Sequence, residues 1–412
     1  DYNIALTLFY VTYILVEVPS NLALKCFGSI WLAILMIAFG IIALSTAFIT
    51  NFTGLILTRM FLGIAEGGLL PGLVYVLSRY YRRKELVFRI GIFFGVAPSL
   101  AGAFGGLLSS VSYLRHLLGA HCHNRSKHYL CLFIIPADPE ISHMLTEDEL
   151  TIALKMIAAD NVVGTFKREK TTSRLVLRAF NVNTCLNAFT YLLVNILFQG
   201  LSLFLPTVTA TCKPSYSMPA TIESQLRTVP PYIISIVWAV INSYFSFKIQ
   251  KCGKIPPCFL CVCIAISLLL NIVGYAIFMG SKNPHARYGA CFLAISGGAL
   301  SGPMMLTWAT DTAAPETVRA VTMALIPSLG TIGAVIAVWT YLPDDAPNYH
   351  RGNSLNLATC SLACVLVLLG VRYVYWENAK CDHGERDYRL EGKSQKEIDE
   401  LGARHPAYRY QP

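Results

Sequence analysis

Apolar residues gather along this chain in ten long runs: 3–25, 31–50, 53–78, 88–110, 182–206, 229–249, 256–280, 288–310, 320–342 and 354–376. A bilayer core needs about 20 such residues per helix, so each run predicts a membrane span. Gly and Pro interrupt many runs without ending them, as membrane helices tolerate. The runs lack the period of two that a transmembrane barrel strand requires. The pattern therefore predicts an all-α, polytopic membrane protein.

Composition agrees. Of 412 residues, 54% are hydrophobic and 14% charged, whereas soluble domains carry about 25% charge. A water-soluble enzyme could not cover its surface with so little charge. The net charge of +9 sits in short loops, where Lys and Arg set topology, so no nucleic acid partner is expected. Seven of the thirteen cysteines (Cys185, Cys258, Cys261, Cys263, Cys291, Cys360 and Cys364) fall inside apolar runs and read as small buried hydrophobes.

Basic residues orient the spans. Arg79, Arg82, Arg83, Lys84 and Arg89 predict one cytoplasmic loop, and Lys248, Lys251 and Lys254 a second. Lys167, Arg168, Lys170, Arg174 and Arg178 predict a third, while the loops at 51–52 and 343–352 face outward. Parity then exposes a fault. Between the first and third basic segments the chain must cross an even number of times, yet only 88–110 is long enough. A span is expected to be missing, and 115–131 (RHLLGAHCHNRSKHYLC) lies where it should be. His116, His121, Cys122, His123, His128 and Cys131 invite a zinc reading, but their spacing matches no closed site; aberrant coding sequence accounts for them better, and no metal is expected. The chain opens at Asp1 with an apolar run under way by Ile4, which suggests a fragment.

The halves echo one another. Glu66-Gly-Gly-Leu-Leu-Pro-Gly72 answers Ser296-Gly-Gly-Ala-Leu-Ser-Gly-Pro303, and Ala101-Gly-Ala-Phe-Gly-Gly106 answers Ser328-Leu-Gly-Thr-Ile-Gly333. Paired bundles joined by a long basic loop are a transporter pattern, although small residues also serve close helix packing.

Ionisable residues inside spans are functional candidates by default. Arg59 and Glu66 lie seven residues apart, nearly on one helical face and about 10 Å apart along the axis. They could offer a cation to an anionic substrate and a carboxylate to a proton. Glu17, beside Pro19 and Asn21, could couple transport or merely pack helices. Asn195 and Gln199, at i and i+4, could line a polar cavity or hold neighbours. Trp308 ends its span as a further substrate-site candidate, with Asp311 a cap. No Walker, GxSxG or HExxH motif occurs, so no catalytic residues, enzyme activity or cofactor are expected.

The chain resembles the fungal anion:cation symporter group of the major facilitator superfamily, the allantoate permease branch with nicotinate, pantothenate and biotin permeases. The likeness rests on Asp1-Tyr-Asn-Ile-Ala-Leu-Thr-Leu-Phe9, Tyr13-Ile-Leu-Val-Glu-Val-Pro-Ser-Asn21, Arg59-Met-Phe-Leu-Gly-Ile-Ala-Glu-Gly-Gly-Leu-Leu-Pro-Gly72, Ser99-Leu-Ala-Gly-Ala-Phe-Gly-Gly106, Gly200-Leu-Ser-Leu-Phe-Leu-Pro206, Thr228-Val-Pro-Pro-Tyr232 and Arg404-His-Pro-Ala-Tyr-Arg-Tyr410. It implies two six-helix bundles and alternating access, with about ten of twelve helices present and helices one and six lacking. It further implies a monomer of the plasma membrane carrying a small organic anion with protons, in which Arg59 and Glu66 bind the anion and couple the proton. Asp311 and Pro327 depart from the family pattern. The expected organisation is an incomplete N-terminal bundle over 1–136 (aberrant from 111), a cytoplasmic loop over 137–181, a C-terminal bundle over 182–376 and a cytoplasmic tail over 377–412. A non-transporting sensor of the same fold, or an inactive gene fragment, are the rival readings.

Overall fold

The protein is described by a computed structural model over residues 2–49, 51–80, 173–211, 220–252, 259–314, 316–346, 348–392 and 401–408, with helical positions between 89 and 104 described in part. The segment 111–136, with its histidines and cysteines and the missing-span assignment, lies outside the described residues, as does most of the expected 137–181 loop.

Among the described residues the chain is helical throughout. The first four helices are α1 (Tyr2–Phe27), α2 (Ser29–Ser45), α3 (Phe52–Glu66) and α4 (Leu69–Tyr80). A short α5 (Ser173–Arg178) precedes α6 (Val182–Thr211), α7 (Ala220–Cys252), α8 (Phe259–Gly280), α9 (Pro284–Asp311), α10 (Glu316–Val338) and α11 (His350–Asp382). Seven of these (α1 and α6 to α11) are long and apolar enough to cross a membrane, and α2 is a shorter apolar helix. Large apolar side chains such as Leu15, Ile34, Phe61, Leu269 and Leu368 stand more than half exposed on the helix exteriors. In water so much exposed apolar surface would drive association, whereas against acyl chains it is the ordinary lining.

The runs that fall within the described residues coincide with helices, with some differences, among them an α7 that begins at Ala220, nine residues before its run. The run 53–78 is two helices rather than one, separated at Gly67 and Gly68. The last helix continues to Asp382, six residues into the expected tail. The tail is also ordered in part. Leu401 and Tyr408 are buried, the Ala403 amide donates to the Ala314 carbonyl between α9 and α10, and buried Glu377 accepts from Arg386 and Arg389.

Glycines explain the close packing of the N-terminal helices. A Cβ at Gly63 would run into Thr12 Oγ1 and the Phe9 carbonyl of α1, and one at Gly67 would sit 2.7 Å from the Tyr13 carbonyl. With hydrogen there instead, α1 lies against the α3 backbone and Thr12 Oγ1 donates to the Met60 carbonyl at 3.1 Å. The glycines of the second half serve similarly: Gly297 meets the Ser267 carbonyl of α8, and Gly330 and Gly333 meet Tyr191 and Leu192 of α6. The echoing motifs thus occupy helix crossings in both halves, with different partners.

The two groups of helices meet along several lines. One apolar cluster joins Leu24, Leu32 and Val76 to Ala188, Leu306, Ala309, Met323 and Ile326. A second joins Leu6 and Tyr10 of α1 to Ala334 and Val338 of α10. A third crossing pairs the buried hydroxyls of Ser99 and Ser235 at 3.1 Å. Beside it, Gly102 lies against the Tyr232 ring.

Candidate functional site

The site is built from the middle of α1 outward. Glu17 lies two residues before Pro19, inside the continuous α1, and is 0% exposed. Its Oε2 accepts a hydrogen bond from Ser328 Oγ at 2.8 Å, while Oε1 has no hydrogen-bond partner among the described residues. Ser328 follows Pro327 on α10, so this bond joins helices 311 residues apart in sequence.

Around it the helices bring other polar groups. Tyr13, one turn earlier on α1, lies within electrostatic reach of both Glu17 and Glu66, and Tyr191 of α6 lies within reach of Glu17. Glu66 is the last residue of α3 and feels the charge of Arg59 two turns earlier. Both Arg59 and Glu66 are half-buried. Gly63 and Gly67, which lie against the α1 backbone, bring this end of α3 close to α1. Tyr13 is thus the group common to the two carboxyls, with Arg59 acting on Glu66 and Tyr191 on the Glu17 side.

The expected residues therefore divide. Arg59 and Glu66 interact on α3, and Glu17 is related to them through Tyr13. Asn195 is engaged in holding helices: its Nδ2 donates to the Gly330 carbonyl at 2.8 Å, which ties α6 to α10. Gln199, one turn on, is half-buried on the same helix. Trp308 lies elsewhere. It is 2% exposed within the apolar core of the C-terminal helices, and its ring fills the space that a Cβ at Gly370 would enter. In this structure the indole packs helices. Asp311 is the last residue of α9.

Ser328, Tyr13 and Tyr191 were not anticipated. Tyr191 carried a legible signal, because Asn183, Asn187, Tyr191, Asn195 and Gln199 recur every four residues on α6. That spacing winds slowly around a helix, so its members reach different neighbours. Asn183 donates to Thr312 Oγ1 near the α9–α10 connection, whereas Asn195 reaches α10 itself. Ser328 carried no such signal.

Two groups of apolar helices meeting over a buried carboxylate, in a chain with no nucleotide-binding motif, support a secondary transporter. The comparisons with known proteins are of the same kind. Residues 1–122 match the Major Facilitator Superfamily. An uncharacterized transporter of Schizosaccharomyces pombe is 26% identical over 403 residues, covering 93% of this chain and 76% of the relative. The high-affinity nicotinic acid transporter of Saccharomyces cerevisiae is 26% identical over 394 residues, 92% of this chain and 70% of the relative. Among solved structures, the proton:xylose symporter XylE superposes with a TM-score of 0.59 at 15% identity, covering 89% of this chain and 85% of that one. The chain has the major facilitator fold, and its relatives are transporters, several of them fungal.

Proposed function

We propose that the protein is a proton-coupled symporter for a small organic anion, working by alternating access in the plasma membrane as a monomer. The observation that carries this reading is the half-buried pair of Arg59 and Glu66 on α3, with buried Glu17 of α1 nearby, both carboxyls acting on Tyr13. A half-buried guanidinium in a low-dielectric setting attracts a carboxylate strongly and can bind it in bidentate fashion. Glu66, beside it, exchanges its attraction for Arg59 against a proton when the anion arrives. The substrate and the proton are thereby coupled through one cation.

A nicotinate-type carboxylate is the best-supported cargo, since a transporter named for nicotinic acid is among the relatives. The basic loop around 79–89 would face the cytoplasm, with the C-terminal bundle beginning at 182 and the tail on the same side.

Uptake of radiolabelled nicotinate and of other small carboxylates, in cells expressing the protein at acid and neutral external pH, tests the reading. Arg59→Ala should abolish saturable anion uptake, and Arg59→Lys should retain part of it with a raised KM. Anion uptake equal to that of the unmodified protein in Arg59→Ala would sink the assignment.

A further inference from the structure

Beyond the end of α11 the chain folds back onto the helices. Glu377, 4% exposed, accepts from Arg386 and from Arg389, the latter at 3.2 Å. The same Arg389 guanidinium donates through Nη1 to the Arg404 carbonyl at 3.2 Å, so one side chain ties α11 to a distant turn of the tail. There the Ala403 amide donates to the Ala314 carbonyl at 3.2 Å, and Leu401 and Tyr408 are buried. The tail therefore links the end of α11 to the connection between α9 and α10.

That connection is held on its other side as well. Asn183 of α6 donates to Thr312 Oγ1 at 2.8 Å, and Arg319 turns back to the Ala313 carbonyl. Within the first turns of α10, Val318 and Val321 cluster with Leu22 of α1 and Val176 of α5. Leu306 and Ala309 of α9 and Met323 and Ile326 of α10 cluster with Leu24 of α1, Leu32 of α2 and Val76 of α4. These two clusters make an apolar seal between the groups of helices, and alternating access parts the groups by rocking one against the other.

We infer that the tail is an inhibitory clasp on this seal. Docked, it holds the α9–α10 connection to the end of α11 and keeps α9 and α10 against α1, α2 and α4; undocked, it lets that end of the two helices move away. The reason is that a few residues serve both contacts. Ala314 lies between the end of α9 at Asp311 and the start of α10 at Glu316, and Val318 follows within one turn. A shift of α10 off Leu22 therefore displaces the carbonyl on which the Ala403 amide is aligned, and a hydrogen bond weakens steeply as alignment is lost. The tail docks better while the seal is shut, and by linkage a docked tail favours the shut seal. The inference rests on the reading of the chain as an alternating-access transporter and adds to it a control that acts on the helices rather than on the cargo.

The test reads the seal and needs no substrate. Leu24→Cys places a thiol at a position 2% exposed within the seal, two residues from the exposed native Cys26. In membranes holding the full chain, N-ethylmaleimide is offered to both, and mass spectrometry separates them because trypsin cuts at Lys25 between them. The ratio of the two labelling rates cancels differences in reagent access. Arg389→Gln, which gives up the bonds to Glu377 and to the Arg404 carbonyl, should raise that ratio several-fold, in step with faster proteolysis of the tail. Ala403→Pro, which deletes the amide that meets Ala314, should do the same, and it decides the matter should Arg389→Gln fail to reach the membrane. An unchanged ratio in a variant whose tail is cut faster overturns the clasp, because the tail then merely rides on the C-terminal helices. A tail that stays protected with Arg389→Gln and Ala403→Pro combined overturns it too, since those contacts then do not hold it. Absence of nicotinate uptake alongside an intact rise in the ratio would reject the proposed cargo and leave the clasp standing.

Discussion

Replacing Gly63 by alanine should separate α1 from α3, and the structure sets the size of the effect. The added methyl would overlap Thr12 Oγ1 and the Phe9 carbonyl and lie 3.2 Å from the Tyr13 amide. Two of these three obstacles are backbone of a long packed helix, so a rotamer change cannot relieve them. α1 must instead retreat by roughly an ångström, a distance over which dispersion contacts lose much of their depth. Overpacking of this kind costs about 1–3 kcal/mol. The bond from Thr12 to the Met60 carbonyl stretches with it, at about 0.5–1.5 kcal/mol. Alanine's better helix propensity offsets about 1 kcal/mol, which leaves a net loss of about 1–3 kcal/mol. Gly289→Ala is the matched control. That glycine is inside α9, and a Cβ there would meet nothing within 4 Å. It should gain up to about 1 kcal/mol from propensity alone. Denaturant unfolding of the two purified variants in one detergent should separate them by about 1–4 kcal/mol, or at least about fivefold in the unfolding equilibrium. Equal midpoints for Gly63→Ala and Gly289→Ala would refute the claim that glycine at 63 is what allows α1 to approach. Because Tyr13 and Glu17 ride on α1, Gly63→Ala should also lower uptake even where the protein reaches the membrane.

Other consequences can be checked in the same preparations. Gly330→Ala should drive a methyl into the Tyr191 ring and strain the Asn195 bond to the Gly330 carbonyl, costing about 1–3 kcal/mol in the same unfolding assay. Glu377→Ala should free Arg386 and Arg389, which both bond to that buried carboxylate, and release the tail; a loss of about 1–3 kcal/mol locally predicts tenfold or faster proteolysis of residues 383–408 while the helices stay intact. Trp308→Phe should lower stability through the space it opens beside Gly370, yet leave the KM for the transported anion unchanged, since the indole is enclosed in the core. A raised KM there would restore Trp308 to the site.

Much of this molecule was legible in its hydropathy. A span is a local property: about twenty apolar residues in a row must leave water, and the backbone's hydrogen bonds then demand a helix. The runs therefore matched α1, α2 and α6 to α11 with little error. The break at Gly67 and Gly68 escaped because glycine within an apolar run does not announce whether the helix continues through it. Arg59, Glu66 and Glu17 were legible for a related reason, since charge inside a span is too costly to be incidental. What that cost implies about partners was not legible. Trp308 shows the limit: an aromatic at a helix end looks the same in sequence whether it faces a ligand or a neighbouring glycine. Ser328 shows it more plainly. One hydroxyl among many has no meaning until α10 is laid against α1, and that placement depends on glycines in α3 and α10 and on clusters drawn from both halves. The sequence by itself determined which segments are helices in lipid and which charges they carry, because both follow from local solvation. Which carboxylate meets which hydroxyl was decided by packing between residues hundreds of positions apart, and only the tertiary structure holds that.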